Sequence, residues 1–376
     1  MNKLYGTGVA LVTPFNPDGS VDFEGLKNLI NHTITGGVEY LVSLGTTGET
    51  ATLTKEEKAA IWKFTKETVN GRVGLVAGIG GNNTQEILES LNHFDSEGFD
   101  AILSVSPYYN KPTQEGIYQH YKAISAASPL PIILYNVPGR TGSMVSADTV
   151  LRLANDFKNI VAVKEASGNF DQFNKLAKDK PEGFLLISGD DPITLPMIAL
   201  GAVGVISVVG NAVPKIFSSM VRLCLAGKFT EAQPLHYKLI DFTNLCFVEG
   251  NPAGVKAALK TLGVCGDTVR LPLVPVSANT QEQLNKEFDG KLALAIQVFK
   301  GEYHRKFMLQ LISSQLDMDR MDYLKRDSFY SGVAEGNINS DRLIQMMNVQ
   351  DDVLVIEEKG IFSVEKFLVA RRLMYW

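Results

Sequence analysis

The sequence has few cysteines, no excess of positive charge and no long hydrophobic run. Its three cysteines, Cys224, Cys246 and Cys265, lie far apart, without the paired spacing of a zinc site or a disulfide framework. A formal net charge of −5, with 20% charged residues, leaves no basic stripe to follow a nucleic-acid backbone. No segment approaches the roughly 18 apolar residues of a membrane span, and the N-terminus lacks a signal-peptide core. We therefore expect a cytoplasmic protein that binds neither nucleic acid nor membrane.

Hydrophobic residues make up 45% of the 376 residues, and from Gly8 to about Gly227 they follow one repeated pattern. A short β-branched run that ends in Gly, Ser, Thr or Pro precedes an amphipathic segment of about 12 residues. The predicted strands are 8–13, 40–44, 73–77, 101–105, 132–135, 160–163, 184–188 and 204–207. Nearly continuous apolar strands are typical of a parallel sheet covered on both faces. Eight such units predict an α/β fold, a closed (β/α)8 TIM barrel.

The pattern also predicts how the chain is divided. Residues 1–227 are predicted to form the catalytic barrel, and residues 228–290 a small C-terminal helical domain. Helix starts are marked by capping residues: Asp22, Thr84, and Thr54 with Glu57 three residues later. From about Lys291 the character of the sequence changes, and residues 291–376 are predicted to be a mainly helical segment of foreign origin.

Active sites of such barrels form at the carboxyl ends of the strands, and several of these ends are unusual here. The second strand is followed by GTTGE at 45–49, whose amides and hydroxyls could hold a carboxylate. A glycine turn capped by Thr46 and Thr47 explains the same residues. Glycines follow or begin the last two strands, Gly189 and Gly204, where substrate could approach the backbone closely.

The sixth strand places Lys164 at the end of an apolar run. Partial desolvation would lower the pKa of its amine and free it for attack on a ketone. The alternative is a lysine that reaches solvent and pairs with Glu165. The fifth strand favours the first interpretation, because it ends in Tyr135, which can move a proton, and is followed by Arg140, which can grip a carboxylate with two prongs. A rim aromatic and a solvent ion pair remain the alternatives for these two residues.

Residues 4–288 resemble the dihydrodipicolinate synthase family. The likeness rests on motifs that occur in order: GTTGE at 45–49, YYN at 108–110, YNVPGRT at 135–141, KEASG at 164–168 and GDD at 189–191. It implies that pyruvate condenses with aspartate-4-semialdehyde to 4-hydroxy-tetrahydrodipicolinate, the entry step to diaminopimelate and lysine, on a homotetramer built from two dimers. It implies no metal and no organic cofactor.

The resemblance also implies a role for individual residues. Lys164 would form the imine with pyruvate, and Tyr135 would donate and accept protons. Thr46 and Tyr109 would complete the proton relay, with Tyr109 reaching in from a neighbouring subunit. The substrate-binding set would comprise Thr47 and the backbone at Ile206 for pyruvate, Arg140 for the carboxylate of the aldehyde, and Gly189.

Two alternative functions remain for the barrel, and its control by lysine is a separate question. Sialic acid lyases and keto-sugar-acid aldolases use the same lysine and tyrosine, although Thr46, Thr47 and Arg140 favour a short carboxylated aldehyde. A barrel that serves only as an oligomeric scaffold would not need the full set of strand-end residues. Some family members are inhibited by lysine at a dimer interface, but Lys55 and Lys58 stand where sensitive members often carry histidine. Their ammonium groups should repel a cationic ligand.

The segment from about Lys291 resembles the C-terminal part of HD-domain phosphohydrolases. In that family Asp319 would be the last ligand of a metal site, but the preceding ligands are missing, and His304 is the only histidine of the segment. Asp319 and Asp322 are better explained as charges on an amphipathic helix, so nucleotide hydrolysis is the weaker hypothesis. We expect a cut fragment with exposed apolar side chains: Ile361, Phe362, Phe367, Leu368 and Leu373.

Overall fold

The computed structural model describes residues 2–287, 305–312, 321, 324 and 339–374. By its internal contacts the chain divides into two compact units, Met1–Glu287 and Phe288–Trp376. Within the described residues, none of the helices is both long enough and apolar enough to cross a membrane.

The first unit is a closed barrel of eight parallel strands in sequential order, which confirms the predicted (β/α)8 fold. The strands are β1 (Gly6–Ala10), β2 (Tyr40–Ser43), β3 (Gly74–Gly78), β4 (Ala101–Val105), β5 (Ile132–Asn136), β6 (Ile160–Glu165), β7 (Leu185–Ser188) and β8 (Gly204–Ser207). The prediction extended the first strand to residue 13, but the observed strand ends earlier. The amide of Val12 donates to the side chain of Asn211 at 3.2 Å instead of to a neighbouring strand.

Helices cover the outside of the barrel and continue into a C-terminal helical region. They are α1 (Phe23–Thr35), α2 (Lys55–Val69), α3 (Thr84–His93), α4 (Gln114–Ala127), α5 (Pro138–Thr141), α6 (Ala147–Asp156), α7 (Phe170–Asp179), α8 (Thr194–Ala199), α9 (Pro214–Leu225), α10 (Phe229–Phe247), α11 (Ala253–Thr261) and α12 (Ala278–Glu287). Two of the three predicted caps are present, but Thr84 is wrong: it is the first residue of α3, and Asn83 before it supplies the capping side chain. The side chain of Asp22 accepts from an amide of α1, and Thr54 and Glu57 form a reciprocal capping box at α2.

The core of the first unit lies between the strands and inside the barrel. Side chains that point inward from successive strands are fully or nearly buried there, among them Tyr40, Val42, Leu103, Ile133 and Ile187. Strands that are buried on both faces need apolar residues at nearly every position, which is why their sequences show no alternation of polar residues. The packed interior leaves the carboxyl ends of the strands as the place for polar side chains.

The described part of the second unit contains helices and a small sheet. The elements are α13 (Lys306–Ile312), α14 (Ser340–Met346), the antiparallel pair β9 (Met347–Gln350) and β10 (Val353–Ile356), and α15 (Ile361–Met374). A small cluster of Met321, Leu324, Leu343, Phe367 and Ala370 forms its core.

The prediction of exposed apolar side chains in this unit is partly wrong. Phe367 is fully buried, because α15 turns it into the small core. Ile361, Phe362 and Leu368 are exposed, with 79% of Phe362 accessible to solvent. The side chain of Leu373 lies outside the described residues, as do His304, Asp319 and Asp322.

Candidate active site

Two neighbouring strands bring Lys164 and Tyr135 side by side. Tyr135 of β5 pairs with Lys164 of β6 in the strand register, so both side chains point to the same face of the sheet. The Lys164 Nζ atom lies 4.2 Å from the centroid of the Tyr135 ring. Only 4% of Lys164 and 7% of Tyr135 is accessible to solvent. A lysine that reaches solvent, the alternative left open by the sequence, is therefore excluded.

Burial changes the protonation of Lys164. Burial lowers the pKa of the amine to about 7. The Asp191 carboxylate partly opposes this shift, and the Arg140 guanidinium adds to it. Near neutral pH a large fraction of the amine is therefore unprotonated and nucleophilic. Glu165 does not neutralise the charge, because its carboxylate points away and accepts hydrogen bonds from Asn136 and Gln172.

Tyr135 keeps its proton at neutral pH. Burial raises the pKa of the phenol to about 12, although the charge of Arg140 and a side-chain hydrogen bond with Thr46 both lower it. A phenol in this state can donate its proton to a leaving hydroxide and recover it through a hydrogen-bonded neighbour. Thr46 is that neighbour, and it begins the short turn Thr46–Gly48 after β2.

Thr47 is buried beside a residue from the C-terminal helical region. Its Oγ1 atom accepts a hydrogen bond of 3.0 Å from Nδ2 of Asn251, and 3% of Thr47 is exposed. Because Asn251 supplies the donor, the hydroxyl hydrogen of Thr47 is free to point elsewhere. The backbone carbonyl of Asn251 also accepts a weak hydrogen bond of 3.4 Å from Nη2 of Arg140. Asn251 therefore lies between two residues that can bind a carboxylate.

A buried ion pair holds the loop that carries these threonines. Nζ of Lys256, on α11, lies 2.5 Å from Oε1 of Glu49, and both side chains are almost fully buried. Glu49 has a φ of 54°, in the left-handed region that few non-glycine residues adopt. Its second oxygen accepts from the backbone amide of Arg270 at 3.0 Å, and Lys256 also donates to the carbonyl of Thr268. The ion pair thus attaches the loop at 45–49 to the C-terminal helical region.

Arg140 lies on the short helix α5, directly after β5. Arg140 is exposed, and its charge reaches both Lys164 and Tyr135. A guanidinium at the edge of a pocket suits an incoming carboxylate, because it offers two parallel donors.

The last strands complete the wall around Lys164. A Cβ atom added to Gly189 would lie 3.0 Å from Cε and Cγ of Lys164, so glycine makes room for the lysine itself. Ile206 lies in β8 and is 1% exposed, which leaves its backbone as the polar part near the site. One oxygen of Asp191 accepts from the amides of Val208 and Val209 at 2.9 Å each, whereas its Oδ1 atom is buried without a partner. Burial raises the pKa of Asp191 to about 6, although these amides and Lys164 lower it.

The tyrosine pair after β4 is oriented differently. Tyr109 has a φ of 72° and is 86% exposed, whereas 39% of Tyr108 is exposed. A bulky residue with positive φ is strained, and such strain often accompanies function. Within this single chain Tyr109 points to solvent and not to Lys164, so it is the one predicted catalytic residue that the structure leaves outside the pocket.

Within the described residues, no cluster of histidine, cysteine, aspartate or glutamate side chains could hold a metal ion. Asn251 and Lys256 were missed by the sequence reasoning, and Asp191 was quoted without a role. The sequence signal for Asn251 is its place in Glu249-Gly-Asn-Pro, where a polar side chain stands directly before a proline.

Comparison with known proteins agrees with this arrangement. A model of the dihydrodipicolinate synthetase family matches residues 3–290, and a model of the HD associated region matches residues 338–376. The 4-hydroxy-tetrahydrodipicolinate synthase of Flavobacterium psychrophilum is 56% identical over 285 residues, which cover 76% of this chain and 97% of that protein.

Solved structures give the same result. Dihydrodipicolinate synthase of Aquifex aeolicus has a TM-score of 0.74 at 42% identity, over 77% of this chain and 98% of that one. The chloride-inhibited enzyme of Acinetobacter baumannii, complexed with pyruvate, has a TM-score of 0.74 at 41% identity, over 76% of this chain and 98% of that one.

Proposed function

This chain belongs to the dihydrodipicolinate synthetase family, and from that membership we propose the reaction that its site catalyses. It is a Schiff-base lyase that condenses pyruvate with aspartate-4-semialdehyde to 4-hydroxy-tetrahydrodipicolinate. The observation that carries the proposal is the buried Lys164 amine beside Tyr135, with a pKa lowered to about 7.

The first half of the reaction uses Lys164 and Tyr135. The neutral amine of Lys164 attacks the ketone carbon of pyruvate, and the phenol of Tyr135 supplies the proton with which the oxygen leaves as water. The resulting iminium withdraws electrons, so the methyl group of pyruvate gives a proton to the Tyr135 phenolate, and the enamine attacks the aldehyde carbon. Tyr135, hydrogen-bonded to Thr46, returns that proton to the new alkoxide. The amino group of the aldehyde then attacks the iminium carbon, which closes the ring and frees the amine of Lys164.

The two substrates are held by different groups. Thr47 donates its free hydroxyl hydrogen to the pyruvate carboxylate, and the backbone at Ile206 completes that contact. Gly189 leaves space for the Lys164 side chain that carries the bound ketone. Arg140, at the mouth, binds the carboxylate of aspartate-4-semialdehyde through paired donors. A polyol acceptor offers no such charge, which supports this substrate over a sugar aldehyde.

The catalytic unit is a homotetramer built from two dimers. Tyr109 supports this assembly, because it is strained and 86% exposed in the single chain. In a dimer it would enter the partner's pocket and extend the relay of Tyr135 and Thr46. Tyr109→Phe should therefore lower turnover, and an active monomer would contradict the proposal.

Feedback inhibition by lysine is weak or absent. The pKa of Lys58 is lowered by its burial and by Lys55, although Glu86 raises it. Two ammonium groups close together disfavour a third, which a lysine ligand would bring. Inhibition by millimolar lysine, with the affinity of lysine-sensitive family members, would contradict this part of the proposal.

The function is tested by comparing acceptors. Purified protein should consume aspartate-4-semialdehyde in the presence of pyruvate, measured through the product by coupled reduction with a dihydrodipicolinate reductase. N-acetylmannosamine is the matched competitor, because sialic acid lyases share the lysine and the tyrosine. Faster use of N-acetylmannosamine would show that the substrate assignment is wrong even if the imine chemistry is right.

A further inference from the structure

Behind the catalytic pair lies a second pair with no role in the chemistry described so far. Asn136 follows Tyr135 and Glu165 follows Lys164, and these two residues are also partners in the register of β5 and β6. Because side chains alternate along a strand, Asn136 and Glu165 point to the outer face of the barrel while the catalytic pair points inward. Both outer residues are almost fully buried, at 1% and 2% exposure.

Hydrogen bonds join this outer pair to α7 and to the loop before α6. Oε2 of Glu165 accepts from Nδ2 of Asn136 at 2.9 Å and from Nε2 of Gln172 at 2.8 Å, and Oε1 accepts from the amide of Ser167 at 2.8 Å. Asn136 and Gln172 both donate to the carbonyl of Val145, whose amide donates back to Asn136. Every polar atom of the Asn136 and Glu165 side chains has a partner in this network.

The chemistry of this network requires a carboxylate. Three donors converge on Glu165, and a carboxylate accepts at both oxygens without bringing a donor of its own. Glutamine has the same shape, but its amide nitrogen would face either Ser167 or the two side-chain amides. Burying a carboxylate is costly, and this network contains no cationic side chain to offset the cost. We therefore expect Glu165 to have a role beyond filling space.

We propose that Asn136, Glu165 and Gln172 are positioning residues that fix the register of β5 and β6 and thereby hold Lys164 beside Tyr135. A bond between outer side chains of paired strands fixes the inner side chains of the preceding residues, since one rigid backbone carries both. This inference rests on the proposed function, because it assigns the network to the geometry of imine formation. A small displacement of a reacting group can lower turnover by orders of magnitude.

The test uses Glu165→Gln and Gln172→Met in the full chain. Gln172→Met removes two donated hydrogen bonds without adding a charge or much volume. We expect kcat to fall at least about tenfold in Glu165→Gln and less in Gln172→Met, while KM for pyruvate changes less than about threefold. The pyruvate contacts at Thr47 and Ile206 do not involve this network.

A pH profile separates positioning from simple loss of stability. The rate of borohydride trapping with pyruvate depends on the neutral amine of Lys164, whose low pKa comes from burial. A lysine displaced toward solvent regains a higher pKa, so half-maximal trapping should move upward by about one pH unit in the variants.

The matched control lies at the other end of the same strand. Asn159 precedes β6, and its side chain exchanges hydrogen bonds of 2.5 and 2.8 Å with Ser125. Asn159→Ala should lower the melting temperature but leave kcat and the pH profile unchanged. If folded Glu165→Gln and Gln172→Met both behave like this control, the inference is wrong while the proposed function stands.

Two further results are decisive. If Glu165→Gln does not fold, Gln172→Met alone decides, and an unchanged kcat and pH profile in that variant overturns the inference. If the unmodified chain forms no adduct at all, the proposed function fails and the inference falls with it.

Discussion

The two units of this chain differ in how their polar groups are used. In the unit Met1–Glu287 several buried polar side chains at or after the strand ends have specific partners, for example Glu49 with Lys256 and Glu165 with Asn136. The described part of the second unit has a small apolar cluster, and large apolar side chains such as Phe362 face solvent. A family model matches each unit separately, over residues 3–290 and 338–376. The buried and partnered polar groups on which the proposed chemistry depends therefore lie in the first unit.

The largest effect should come from removing the hydroxyl of Tyr135. Tyr135→Phe keeps the buried ring over Lys164 but removes the proton donor, so turnover should fall by about 10²- to 10⁴-fold. Steady-state kinetics measure this loss, and circular dichroism should show an intact fold. Near-normal turnover of Tyr135→Phe would mean that the proton comes from another group.

The next largest effect should come from breaking the ion pair of Lys256 and Glu49, which holds the loop at 45–49. Lys256→Met leaves Glu49 buried without its counter-charge, which should cost about 3–5 kcal/mol of folding free energy. Urea denaturation measures the loss, and the double variant Lys256→Met/Glu49→Gln should recover part of it. A stability loss below about 1 kcal/mol would show that the pair does not hold the loop.

The strand pattern predicted the barrel because parallel strands buried on both faces require continuous apolar runs. It also identified Lys164, Tyr135 and Arg140, since each stands at or directly after a strand end. Lys256 and Asn251 could not be found in this way. They bind the loop at 45–49 from about 200 residues further along the chain, and only the folded helical region brings them there.

A smaller effect is expected at the mouth of the site. Arg140→Ala should lower kcat/KM for aspartate-4-semialdehyde by about 10- to 100-fold, because a charged hydrogen-bonding partner of its carboxylate is lost. Trapping of pyruvate should change far less. Arg140→Lys is the control that retains the charge but not the paired donors. Its kcat/KM should lie between the values of the unmodified chain and of Arg140→Ala. Equal losses in trapping and condensation would place Arg140 at the imine instead.

Removal of the second unit should have the smallest effect. A chain that ends at residue 290 should retain kcat and KM, because the residues assigned to the reaction precede it. Its solubility should rise, since exposed side chains such as Ile361 and Phe362 are removed. Loss of activity in a truncated chain that still folds would show that the first unit needs the second for catalysis.

The full chain offers a complementary test of the same separation. It should release no phosphate from deoxynucleotides with manganese or magnesium, because Asp319 alone cannot hold a catalytic metal. Phosphate release that disappears in Asp319→Ala would make the second unit an enzyme in its own right.

The most direct measurement is borohydride reduction in the presence of pyruvate, followed by intact mass and peptide mapping. We expect a single adduct, on Lys164, whose rate of formation rises with pH through about 7. The rise follows from the sign of the titration, since the protonated amine below that pKa cannot attack the ketone. An adduct on any other lysine, or no adduct while condensation proceeds, would show that the reaction does not use an imine on Lys164.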